Sequence, residues 1–464
     1  MTSTPAAHRT AEEIGRTPAG PRPLPPLGDQ RGAANLAHSD TMLGNGLRVV
    51  AVRKDNVPLV EFRLAIPFAG ADPAHPAIAE VLAETVLTGT ARRDRVAIDT
   101  ELALIGAELG SGVDPERLTI VGGALASGLP TLLDVLADVL TSAAYADAEV
   151  ARESERLVER LAVARTQPRI IAREALQTRR YGTHQYTREV PKAEDVAQVT
   201  AEQVRALHAA AVLPRGATLV IVGDLDPETI PATLESALGG WSADGAASVL
   251  PALPELAGGD VLLVPRAGAV QSQIRLSARS LPRTDPRYAA LQLANLAFGG
   301  YFSSRLVENI REDKGYTYGA HSGFEFTGDS ATVQVEADTA SDVTAAALLE
   351  IRYELAKFGV VPPSDADVES VRQYAIGTLQ IAMSSQSGLA GQLSALTSVG
   401  LGMDWLLGHP ARLAAVTTEQ VAEVALEFFA PAAFTGVVVG DAALLGKHLT
   451  ALGGVTVPGY DTAS

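Results

Sequence analysis

Two side chains seven residues apart, Arg311 and Tyr318, carry the spacing in this chain that most suggests chemistry. They lie in GGYFSSRLVENIREDKGYTYGAHSGFEF, which runs from Gly299 to Phe326. The pattern predicts a helix with Ser303 or Ser304 as N-cap and Leu306, Val307 and Ile310 on one stripe. Gly315 ends it, because glycine accepts the left-handed backbone a helix terminus requires. From Tyr316 the period becomes two, and Tyr316, Tyr318, Ala320, Ser322, Phe324 and Phe326 share one face of a strand. Arg311 then stands on the last helical turn and Tyr318 just inside the strand. A guanidinium and a phenol at such a junction are donors suited to a carbonyl or a developing oxyanion. Taken alone, the residue types favour a structural reading, with Arg311 at the negative helix end and Tyr318 packed in a sheet. The Gly299-Gly300 pair reads as a tight turn rather than a phosphate cradle, because the G-K-[ST] ending is missing.

The elements that must hold this junction belong to a chain of 464 residues, 47% apolar, long enough for two to four domains. It has no cysteine, which excludes disulfides, thiolate metal sites and a cysteine nucleophile. A net charge of −17 argues against a nucleic-acid surface and favours neutral or cationic partners. No apolar run approaches the ~20 residues of a membrane span. The N-terminus lacks a basic start followed by an apolar core, so a cytoplasmic protein is the default expectation. Residues 1–40, rich in Pro, Ala and Gly, read as a flexible tail.

Beyond the tail, LRVVAVR and PLVEFRLAIPFAG predict neighbouring strands, and His75 to Thr88 and Val96 to Gly106 predict helices. Leu109 to Val113 and Arg117 to Val121 suggest a strand pair, and Gly128 to Ser142 a further helix. Ala146 to Arg180 reads as a long helical region, and Ala217 to Asp224 as a buried strand. The composition changes sharply over 241–260, the best linker, which separates an N-terminal half, 41–240, from a C-terminal half, 261–455. The halves repeat. VTAEQV at Val199 recurs as VTTEQV at Val416, and VGD at Val222 recurs at Val439; both offsets are 217 (416 − 199 and 439 − 222). Strands first, helices in the middle and one strand last point to an α+β unit with a mainly antiparallel sheet and helices on one face.

The stretch around Arg311 resembles the C-terminal half of the pitrilysin/insulinase (inverzincin) peptidases, close to their mitochondrial-processing-peptidase-like branch. In that family a Gly-rich turn precedes S-S-R-L, then an Arg and, seven residues on, a Tyr that touch the bound peptide. The resemblance covers roughly Leu43 to Leu452. It implies two homologous halves closing as a clamshell around a peptide chamber, with Gly299, Gly300, Arg311 and Tyr318 binding substrate. It also locates the H-x-x-E-H zinc motif, which a short apolar run and Gly89-Thr90 should follow. Here that place holds EVLAE: Glu80 and Glu84 at the two His positions and Ala83 at the general base. The further glutamate ligand aligns near Arg160, with Glu159 adjacent and Glu153 at an acidic position one turn earlier. Leu109 to Val113 corresponds to the substrate-pairing edge strand of zinc-bearing members, and in this half reads as plain sheet.

A carboxylate pair such as Glu80 and Glu84 can weakly hold a hard cation, but a solvated acidic face is the ordinary reading. No two of the eight His are four residues apart, no G-x-S-x-G elbow occurs, and no Ser stands three residues before any of the five Lys. The expectation is therefore a chain with no metal of its own, inactive alone. It would be the non-zinc subunit of a heterodimeric metalloendopeptidase, lending Arg311 and Tyr318 to a zinc-bearing homologous partner that carries H-x-x-E-H. The alternative is a non-catalytic peptide-binding or scaffold subunit, and an autonomous hydrolase is the weakest reading.

Overall fold

The computed structural model describes residues 36–242, 245–328 and 330–458. Most of the expected tail, residues 1–35, lies outside the described residues. Its last part is a strand: β1 starts at His38 and pairs antiparallel with its neighbour over five residues.

The strands of the first sheet are β1 (His38–Met42), β2 (Arg48–Arg53), β3 (Leu59–Pro67), β4 (Glu108–Val113), β5 (Arg117–Leu125) and β6 (Thr218–Gly223), in the order β1-β2-β6-β3-β5-β4. A second sheet uses β7 (Val261–Pro265), β8 (Gln271–Arg279), β9 (Ala320–Thr327), β10 (Ser330–Ala340), β11 (Thr435–Gly440) and β12 (Val455–Thr456), in the order β12-β7-β11-β8-β10-β9. From β2 and β7 onwards the two orders match strand for strand. Only the far edge differs: β1 enters antiparallel from the N-terminal side, while β12 joins parallel from the C-terminal side. The fold is the expected mainly antiparallel α+β unit, present twice.

Period two makes each sheet two-faced. In β3, Val60, Phe62, Leu64 and Ile66 are fully buried against the helices of their own half. The opposite faces are covered as well, each by one helix donated by the other half. Six helices bear on the site and are labelled here: α1 (His75–Thr85), α2 (Asp147–Ala164), α3 (Pro168–Tyr181), α4 (Tyr288–Asn295), α5 (Thr344–Val360) and α6 (Gln386–Thr397). From the N-terminal half, α3 packs Ala172 and Leu176 on Val437 and Val439, the side of β11 turned away from Val438 and its core. From the C-terminal half, α6 packs on β3 and β6. The exchange is pinned by polar contacts. Arg180 pairs with Glu325 and donates to Ser277 Oγ (3.2 Å) and Thr332 Oγ1 (3.3 Å). In return, Arg63 donates to Ser387 Oγ (2.7 Å), and Gln386 Nε2 to the Lys54 carbonyl (3.1 Å).

The repeated words in the sequence have structural reasons. Thr200 and Thr417 each build a capping box with Gln203 and Gln420, so VTAEQV and VTTEQV are the same helix start written twice. Gly223 and Gly440 end β6 and β11 where a Cβ would collide, with the Leu59 carbonyl oxygen at 2.2 Å and with Leu445 Cδ1 at 2.6 Å. The expected long helix over 146–180 is two helices, α2 and α3, with a break at 165–167 before Pro168. The expected linker is irregular backbone except for a bridge from Ser248 to Phe68, with residues 243–244 outside the described set.

Candidate functional site

Glu80, Ala83 and Glu84, expected at the degenerate metal position, lie on α1. Pro76 favours the first turn, and Ala77, Val81 and Leu82 bury one stripe. The helix lies over the edge strand: Ser111 Oγ of β4 donates to the Ala83 carbonyl at 2.6 Å. Glu80 and Glu84 are one turn apart on the remaining face. Arg160, from α2, donates through Nη2 to Glu84 Oε1 at 2.6 Å. Burial pushes the Glu80 carboxyl up to about 7, the Glu84 charge adds to this, and Arg160 opposes it. The donor set does not suit Zn²⁺. No imidazole is present, Ala83 brings no base, and the fixed guanidinium puts a positive charge beside the carboxylate a cation would need. Among the described residues, no group of three or more His, Asp and Glu converges as a metal-binding set. Glu159 is exposed. Glu153 is buried but turns to Arg95 at 2.7 Å and Arg156 at 3.2 Å.

The Arg311–Tyr318 segment departs from its expected geometry in three ways. First, Gly299-Gly300 is not a tight turn. It closes a π-helical turn, Leu296–Gly300, that extends α4, and a Cβ on Gly299 would lie 2.8 Å from Ser322 Oγ of β9. That glycine lets a helix end approach the edge strand closely. Second, Ser304 takes the N-cap backbone position but caps nothing through its side chain, and the α-helix is only Arg305–Val307. A second π-helical turn, Glu308–Asp313, follows and carries Arg311; Lys314 N donates to the Asn309 carbonyl five residues back, at 3.0 Å. Gly315 then turns the chain at φ +65° as expected.

Third, Tyr318 is not inside the strand, because β9 starts at Ala320. The cause is Thr317, whose buried Oγ1 donates to the Asp338 carbonyl (2.6 Å) and accepts from Gly319 N (3.0 Å). This pins a bend that throws Tyr318 out to 98% exposure. The Arg311 guanidinium lies 4.5 Å over the Phe302 ring, with Nε 3.3 Å from Glu312 Oε1. Among the described residues no hydrogen bond joins Arg311, on the π-helical turn, to Tyr318, two residues before β9. Sequence reasoning missed Phe302 and the pinning role of Thr317. A second aromatic, two residues after Gly-Gly and nine before Arg311, was a signal for the first, and only the fold reveals the second.

Comparison with known proteins places these features in context. The model of the insulinase family (peptidase family M16) matches residues 51–194, and that of the peptidase M16 inactive domain matches 198–374. An uncharacterized zinc protease of Mycobacterium tuberculosis is 26% identical over 310 residues, spanning 66% of this chain and 71% of that protein. The uncharacterized zinc protease YmxG of Bacillus subtilis is 22% identical over 347 residues, spanning 74% and 83%. In fold, the chain is similar to a peptidase M16 inactive domain from Pseudomonas fluorescens, with a TM-score of 0.77 and 22% identity over 87% of this chain and 98% of that one. A protease from Helicobacter pylori gives the same TM-score at 16% identity, covering 87% and 99%.

Proposed function

The chain belongs to peptidase family M16, and from that premise we propose that it is the zinc-free subunit of a two-chain metalloendopeptidase. The observation that carries this reading is the Glu84–Arg160 ion pair, formed by two residues that the family resemblance aligns with zinc-ligand positions. A guanidinium in that place makes the half self-neutralising and leaves it no reason to recruit Zn²⁺. The other half keeps two donors facing outward. Tyr318 is free to reach a ligand, and Arg311, its side chain 35% exposed, is steadied on Phe302. In this role both hydrogen-bond the substrate backbone near the scissile bond and stabilise negative charge on its carbonyl oxygen. The hydrolytic metal belongs to a homologous partner with an intact H-x-x-E-H.

The Arg311–Glu312 contact favours a rival, a peptide-binding or scaffold subunit in which Arg311 is already satisfied. Reconstitution separates the two. Mixed with a zinc-bearing relative, the chain is expected to form a complex that cleaves peptides, and Arg311→Ala or Tyr318→Phe is expected to lower the rate with zinc on the partner unchanged. A complex whose rate ignores both substitutions supports the scaffold.

A further inference from the structure

Tyr318 touches nothing that could aim it. Among the described residues its ring and hydroxyl have no hydrogen-bond, ion-pair or ring partner, and the side chain stands in solvent. Its direction is therefore set by the backbone of 317–319. Glycines flank that backbone, and a Cβ on Gly315 or Gly319 would meet nothing within 4 Å, so packing confines neither. Upstream, Tyr316 N donates to the Ile310 carbonyl at 2.9 Å; downstream, Ala320 pairs with Ala337 in the ladder. Between these points one buried side-chain atom, Thr317 Oγ1, ties the segment down. It donates to the Asp338 carbonyl (2.6 Å), accepts from Gly319 N (3.0 Å) and lies 2.9 Å from the Gly319 carbonyl oxygen. The far end of the tie is firm. Asp338 sits in β10 opposite Gln273 of β8, and its carboxylate takes Nη1 of the buried Arg275 at 2.8 Å.

The duplication supplies an internal control. Each half leaves the helix before its edge strand through a left-handed glycine, Gly106 at φ +60° and Gly315 at φ +65°. Two residues on stand Glu108 and Thr317 (106 + 2 and 315 + 2), and after them Leu109 and Tyr318. In the N-terminal half Glu108 already pairs with Gly123 and Leu109 with Gly122, so β4 starts at once. In the C-terminal half β9 waits for Ala320. The half with a threonine at this place is the half that lifts the next residue out of the sheet.

We propose that Thr317 is a positioning residue of the peptide site: its hydroxyl, anchored on Asp338, holds the Tyr318 phenol where it meets the substrate carbonyl. The inference rests on the reading of Tyr318 as a donor to substrate. A tyrosine swinging between two unconfined glycines would spend little time at that carbonyl, and misplacing a reacting group by about 1 Å can lower a rate on the order of 10²-fold. Thr317 removes the freedom from beneath, without touching substrate itself.

The test is a double-mutant cycle in the complex reconstituted with a zinc-bearing relative, joined to amide exchange on this chain alone. Thr317→Val keeps the side-chain shape and deletes the hydroxyl. Its kcat should fall by about 10–10² with KM changed less than about threefold. The Gly319 amide of the isolated variant should exchange about fivefold faster. Thr317→Ser should restore both. In a Tyr318→Phe background, Thr317→Val should lower kcat by less than about twofold more, because the donor it positions is gone. Thr317→Ala carries the same expectations if valine brings Tm below the assay temperature. An equal loss in both backgrounds would make Thr317 a structural residue only, and parent kcat with parent exchange would remove the tie; either result overturns the proposal. Parent kcat in Tyr318→Phe is a separate failure, which refutes the reading of Tyr318 and takes this inference with it.

Discussion

The two halves use one fold and differ in how they pair their charges and end their helices. In the N-terminal half the groups around α1 and the following turn are paired within the chain: Glu84 by Arg160, and Asp134 and Asp138 by Arg92 and Arg93. The equivalent C-terminal region pairs Glu350 and Glu354 with lysines, Lys314 and Lys357, rather than arginines, breaks its helices into π-turns, and holds Tyr318 in solvent. Helix ends distorted in this way sacrifice regular hydrogen bonding, and such distortions cluster where a chain meets a ligand. The contrast teaches that two sheets matching in five of their six strands can carry regular helices in one half and π-distorted ones in the other.

Breaking the exchange of helices between the halves should have the largest effect. Arg180→Ala leaves Glu325, Ser277 and Thr332 without their shared donor, and removing one partner of a buried pair typically destabilises by about 3–5 kcal/mol. Denaturant melts should keep one transition, since α3 and α6 tie each sheet to the other half; two separated transitions would mean that the halves are independent. Next come Arg311→Ala and Tyr318→Phe in the reconstituted complex, where loss of one oxyanion donor lowers the rate by about 10²–10³. Because Tyr318 is 98% exposed, its variant should retain the parent Tm, which separates chemistry from folding.

Glu80→Gln sharpens the contrast through pH. The folded carboxyl sits at about 7 against an ordinary 4.5, so the folded state holds the extra proton between these values. The stabilisation is therefore complete below about 4.5 and is lost as pH rises through about 7, by up to ~3 kcal/mol. Melting temperatures from pH 5 to 8 should fall less for Glu80→Gln than for the parent; parallel curves would remove the buried carboxyl from the account. The smallest effect tests the symmetry itself. Thr200→Ala and Thr417→Ala each delete a capping-box oxygen and should cost about 1 kcal/mol apiece. Equal losses support equivalent halves, and a clear inequality would assign the transition to one of them.

Much of this was legible in the sequence, for reasons the fold explains. The offset of 217 in VTAEQV/VTTEQV and in the two VGD words marks a helix cap and a strand end, local features that depend on few neighbours. PLVEFRLAIPFAG announced β3, and Gly315 its left-handed turn. What failed depended on distant contacts. Tyr318 continued a period-two pattern and looked like strand, but Thr317 bonds the Asp338 carbonyl across the sheet and bends the chain first. Gly299 resembled turn punctuation, whereas its missing Cβ makes room for Ser322. The helix covering each second sheet face comes from the opposite half, and no local period announces such a partner.

The most direct test of the central claim is to assay the chain and a zinc-bearing relative apart and together, with metal content measured on each. The account predicts substoichiometric zinc and no hydrolysis for this chain alone. It predicts chelator-sensitive cleavage by the mixture, lost with Arg311→Ala while the complex still forms. One tightly held zinc in the isolated chain, with chelator-sensitive cleavage of its own, would contradict it.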